Sequence, residues 1–160
     1  MTVAETHDVT LALNDAFHEV VETMEGVELE GFEGPHKIGE LAYAGVVGLA
    51  GPVFRGVLHL ACTEGAARTL AGALLGGEEM LEGDPEMLHD TLGEVANMVA
   101  GSVKRRLDSS GAHIELSLPT VLEGESVFHG IGAKGHARLG WKVDGHSVVT
   151  SLIYAEDKAR

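Results

Sequence analysis

The stretch from Pro85 to Leu107, "PEMLHDTLGEVANMVAGSVKRRL", constrains the fold more than any other part of the chain. Projected at about 100° per residue, Leu88, Leu92, Val95, Ala96, Val99, Val103 and Leu107 fall on one arc. Asp84 followed by Pro85 supplies a capping side chain and a preset first helical residue, and "DSSG" supplies the stop. A long helix with one unbroken apolar stripe must rest on a broad apolar surface. The remaining sequence has to provide that surface.

It does so with strand-like runs. "ELAYAGVVGLAG" and "VFRGVLHLAC" are divided at Gly51-Pro52 and read as a hairpin. "HIELSLPTVL", "ESVFHGIGAKG", "HARLGWKVDG" and "HSVVTSLIYAE" follow the long helix, with Asp144-Gly145 as the clearest tight turn. An earlier helix is marked by Leu13, Phe17, Val20, Val21 and Met24 and ends at Gly26. "GVELEGFEGPHKI" is acidic and glycine-punctuated, a loop or irregular strand. A short helix runs from the Thr63 cap to Gly76-Gly77. Strands joined through short turns pair antiparallel, so the fold class is α+β: an antiparallel β-sheet with two long helices packed on one face. At 160 residues one domain is expected. It spans 11–155, between a polar, frayed N-terminus (1–10) and a short tail (156–160).

Charge and motifs narrow the function. With 25 acidic against 11 basic residues and a net charge of −14, nucleic acid and anionic membrane surfaces are poor partners. There is no secretion signal and no apolar window of membrane-spanning length, and a single cysteine, Cys62, fits a reducing compartment. A cytoplasmic protein is expected. The nine histidines show no HxxxH or HExxH spacing, so no metal site is assigned. Cys62 reads as a small core residue. "GIGAKG" lacks the phosphate-loop pattern and a following helix, and reads as a bend or turn.

Opposite the apolar arc of the long helix lie Asp90, Glu94, Asn97, Gly101 and Lys104. Glu94 and Asn97 are neighbours by helical spacing, and Gly93, Ala100 and Gly101 leave little bulk around them. An exposed Glu and Asn are usually only solvated. Gly101, however, costs about 1 kcal/mol relative to alanine in a helix interior, and Asn97 several tenths. A solvated face gains nothing from either choice, so the arc is expected to receive a partner. Of the cluster Lys104, Arg105 and Arg106, only Lys104 lies clearly on this arc, to meet an acidic partner or to complement the helix C-terminus.

"DPEMLHDTLGEVANMVAG" resembles the signature of the CheC/CheX/FliY family of chemotaxis phosphatases, with Glu94, Asn97, Met98, Val99, Ala100 and Gly101 fitting it position by position. "LSLPTVLEGE" resembles a second family segment. The resemblance implies removal of the phosphoryl group from the aspartate of a CheY-like response-regulator receiver domain. The receiver is expected to supply Mg²⁺ and a lysine, this chain binding no cofactor of its own. Asn97 is then the catalytic residue that holds a water in line, Glu94 docks the receiver lysine, and Asp90, Gly101 and Lys104 face the partner, Gly101 giving clearance. On the first helix Glu19 and Glu22 repeat the spacing at exposed positions, but Glu22 stands where asparagine is needed, so that helix is read as noncatalytic and solvated. This places the chain in the single-site, CheX-like branch, whose members are homodimers joined through their sheets. The alternatives are a receiver-binding or flagellar-switch module that hydrolyses nothing, and a structural dimerisation domain.

Overall fold

A computed structural model of the chain describes residues 9–32, 40–109, 111–123 and 135–156. The expected caps set the helix ends. The Asp84 carboxylate accepts from the N–H groups of Glu86 (3.1 Å) and Met87 (3.3 Å), and Thr63 Oγ1 accepts from the Ala66 N–H at 3.2 Å. Gly76 closes its helix in the left-handed region, φ 93°. Among the described residues the elements are helix α1 (Val9–Glu22), β1 (Leu29–Phe32), β2 (Leu41–Ala50), β3 (Phe54–Thr63), α2 (Glu64–Leu75), a 3-10 turn (Glu78–Leu81), α3 (Pro85–Asp108), β4 (Glu115–Leu116), β5 (Thr120–Glu123), β6 (Gly135–Val143) and β7 (His146–Glu156).

The strands form one antiparallel sheet in the order β1-β6-β7-β3-β2, with β4 and β5 both pairing along the outer side of β2. Asp144 and Gly145, at φ 48° and 80°, make the tight β6–β7 turn. One apolar core joins the helices to the sheet. Phe17 of α1 packs on Trp141 of β6 with ring centroids 4.9 Å apart, while Trp141 Nε1 donates to Thr150 Oγ1 at 2.9 Å. Cys62 is fully buried, and burial pushes its thiol up to about 12, which leaves it protonated and inert.

Several boundaries differ from the sequence reading. α1 starts at Val9, inside the stretch expected to fray, because Val9 is buried against the core. The acidic segment after Gly26, read as a loop or irregular strand, contains the strand β1, held to β6 from Leu29↔Val143 to Phe32↔Gly140. β7 continues through Glu156, the first residue assigned to the tail. "ESVFHGIGAKG" lies outside the described residues up to its last glycine, Gly135, where β6 begins.

Glu19 does not lie on a solvated helix face. Its carboxylate accepts from Ser102 Oγ (2.6 Å), Arg105 Nη2 (2.7 Å) and Arg106 Nη2 (2.8 Å), tying α1 to α3. The Ser102 hydrogen bond and then Arg105 hold this carboxyl below its ordinary value of 4.5. A group depressed in the folded state contributes stability above its unfolded pKa and loses that contribution as pH falls through the folded value. Glu19→Gln is therefore expected to lower the melting temperature at pH 7, and the difference from wild type is expected to shrink as the pH falls below 4.5. Melting curves for both proteins across that range test this; a difference independent of pH would contradict it.

Candidate active site

Every residue of the predicted apolar arc of α3 is buried. On the other side Asp90 and Glu94 are exposed, while Asn97, Gly101 and Lys104 are half-buried. Among the described residues, neither Glu94 nor Asn97 has a hydrogen-bond or ion-pair partner. Two hydrogen-bonding side chains on consecutive turns thus stand available on a helix whose other faces are occupied.

What holds the pair in place is close packing below and to one side. A Cβ at Gly45 of β2 would lie 2.7 Å from Ala96 Cβ, so α3 rests directly on the sheet one residue before Asn97. On the flank toward the sheet edge, a Cβ at Gly93 would be 3.5 Å from Val121 and 3.7 Å from Pro119, ordinary contact distances. One turn earlier His89 bonds Glu123 of β5, and the Tyr43 ring meets His89 edge-on at 5.6 Å. The sequence reading missed this buttress. Its signal was Pro119 within a strand-like run, the mark of an edge strand or bulge.

Three expectations about the arc change. Gly93 and Ala100 do not open space around the pair: both are buried, Gly93 against the edge strand and Ala100 in the core. Lys104 pairs with Asp108 on its own helix. Burial pushes the Asp108 carboxyl up, but the Ile114 N–H (2.8 Å) and Lys104 outweigh it and hold it below its usual value. Lys104 therefore completes the helix end, and its charge is already engaged. At Gly101 a Cβ would meet nothing within 4 Å among the described residues. No neighbour among the described residues requires glycine at that position.

The chemistry this face offers is positional. The Asn97 amide is neutral and carries both donors and an acceptor, so it can hold a water by two hydrogen bonds. Glu94 presents acceptors suited to a cationic side chain. On α1, Glu22 is exposed and Glu19 is occupied by the clamp to α3, so the first helix presents no comparable pair. Among the described residues no cluster of three or more His, Cys, Asp or Glu side chains is placed to hold a metal ion.

The sequence pattern of the family described as Chemotaxis phosphatase CheX matches residues 43–133, which include all of α3 and its buttress. A curated relative, the CheY-P phosphatase CheX of Thermotoga maritima, is 29% identical over 82 residues, 51% of this chain and 52% of that protein. The match spans about half the relative's length. Among solved structures, the chemotaxis protein CheX from Vibrio vulnificus superposes with a TM-score of 0.76 at 23% identity, over 92% of this chain and 99% of that one. The CheX-CheY-BeF3-Mg complex from Borrelia burgdorferi gives 0.73 at 22% identity, over 91% and 96%. The FliM middle domain from H. pylori gives 0.61 at 12% identity, over 96% and 91%. These likenesses establish the fold.

Proposed function

This chain belongs to the CheX family of chemotaxis phosphatases, and on that footing we propose that it hydrolyses the aspartyl phosphate of a CheY-like response-regulator receiver domain. The observation that carries the reading is the pair Glu94 and Asn97, without partners among the described residues on a helix clamped on its other sides. The fold alone does not choose an activity, because the FliM middle domain shares it. Support also comes from the Thermotoga maritima relative's name, CheY-P phosphatase, and from the Borrelia burgdorferi complex of CheX with CheY.

An acyl phosphate is already activated, so the step lacks chiefly a nucleophile in line. Water attacks phosphorus, the bond from phosphorus to the aspartyl oxygen breaks, and the products are inorganic phosphate and a free carboxylate. Asn97 accepts from and donates to its surroundings so that one water lies opposite the leaving oxygen, lowering the entropic part of the barrier. Glu94 pairs with the receiver's lysine and sets the register of docking. Asp90 flanks the same face, and Gly101 gives the receiver backbone room to approach. Mg²⁺, expected to arrive with the receiver, supplies charge neutralisation at the phosphoryl oxygens. No helix among the described residues is long and apolar enough to cross a membrane, and a cytoplasmic location, where receivers act, completes the reading. The chain is taken to work as a homodimer joined through its sheet, which sedimentation at a dimer's mass would verify.

The test is to mix the protein with a phosphorylated receiver in Mg²⁺ and follow phosphate release. Release well above the receiver's own rate is expected. Saturable binding with an unchanged rate would instead make the chain a receiver-binding module.

A further inference from the structure

The outer edge of the sheet carries a feature that the phosphatase reading does not use. Leu116 lies opposite Leu49 and Thr120 opposite Val46, so the edge strand fits one extra residue against β2: a β-bulge at Ser117 to Pro119. Ser117 is pinned in both directions, its N–H donating to Gly48 O at 2.9 Å and its Oγ accepting from the Gly48 N–H at 2.8 Å. Gly45 faces α3, so Val46 and Gly48 occupy alternate sides from it: Gly48 and Val46 both turn away from the helices. Between the two paired stretches Leu118 and Pro119 make no ladder pair with β2. Pro119 rests against Gly93. Leu118 has no cover and is 88% exposed.

A single exposed leucine is ordinary. This one differs in how it is held and in where it stands. The residues on each side of it are fixed, one by two hydrogen bonds to Gly48 and the other by packing on the helix, so its position is determined before any partner arrives. Asn97 follows Gly93 by one helical turn, so the residue after Leu118 packs one turn away from the Asn97 amide. Farther along that flank His89 and Glu123 are bonded to each other.

We propose that Leu118 is an apolar anchor that seats on the same receiver domain whose phosphoryl group Asn97 addresses; the identity of the partner rests on the phosphatase reading. Leu118 sets affinity and leaves chemistry to α3. The receiver surface it meets is an apolar patch bordering the phosphorylated pocket, continuous with the contact made by Glu94 and Asn97.

The experiment measures both binding of a beryllium fluoride-activated receiver and turnover of the phosphorylated one. Leu118→Ser is expected to raise Kd and KM about tenfold to a hundredfold, the scale of losing one buried leucine, while kcat at saturating receiver and the melting temperature stay at wild-type values. Leu118→Met keeps an apolar surface and is expected to retain wild-type affinity. Leu122→Ser, on the opposite side of the same edge, is expected to leave Kd unchanged. Equal Kd values for Leu118→Ser and wild type would overturn the proposal, as would a fall in kcat without a change in Kd. If the wild type binds without hydrolysing, the phosphatase reading fails and the Kd comparison still judges the anchor. A wild type that binds no receiver overturns both.

Discussion

Asn97→Ala is expected to abolish most of the acceleration of receiver dephosphorylation, by about a hundredfold or more in kcat, while the protein binds the receiver and melts as well as wild type. The magnitude follows from what the amide contributes. A positioning group that fails by about 1 Å forfeits roughly 10² in rate, and removing the group leaves water to find the attack line unaided. Stability should not suffer, because alanine is a better helix residue than asparagine by several tenths of a kcal/mol and Asn97 has no partner among the described residues to lose. Asn97→Asp is expected to be as inactive as the alanine variant despite its shape, since an ionised carboxylate cannot donate and repels the phosphoryl oxygens. Glu94→Ala divides differently: losing a hydrogen bond to a charged group worth about 1.5–3 kcal/mol appears in KM, roughly tenfold to a hundredfold. Phosphate release at varied receiver concentration separates the two. An Asn97→Ala variant with wild-type kcat would refute the role assigned to the amide.

The sequence disclosed α3 fully because three independent signals agreed there: a cap at Asp84-Pro85, an apolar period, and a stop. The hairpin was equally plain, since Gly51-Pro52 interrupts two apolar runs. What escaped notice were relations between elements. Glu19 looked solvated because the angular position of a residue on its own helix says nothing about Ser102, Arg105 and Arg106 on another. Gly93 and Ala100 were assigned to open space for a related reason: with little or no side chain, neither weights the apolar arc, so their side of the helix is fixed only by Pro119, Val121 and the core. The run "HIELSLPTVL" read as one strand and became two short pieces, because alternation alone does not register an inserted residue. Glu94 and Asn97 stood out in the sequence for the opposite reason. Asn97 is a poor choice for the helix that bears it, and nothing among the described residues makes use of it.

Gly45→Ala should lower stability by about 1–3 kcal/mol and reduce turnover as well, because the new methyl would lie 2.7 Å from Ala96 Cβ where carbon atoms prefer roughly 3.5–4.0 Å. The strand has little freedom to yield, with Gly45 paired to Leu60 on one side and to Val121 on the other. The helix must move instead, and Asn97 is the residue next to Ala96, so a shift on the order of 1 Å at the contact is transmitted to the amide and costs roughly 10² in rate. The double variant Gly45→Ala/Ala96→Gly separates positioning from stability. It removes the opposing methyl and lets α3 settle back, yet a glycine inside the helix costs about 1 kcal/mol. The expected result is a protein less stable than wild type but with kcat restored toward it. Denaturant melts and phosphate release on the three proteins decide the matter: if the double variant is no more active than Gly45→Ala, the close approach at Ala96 does not set the position of the amide.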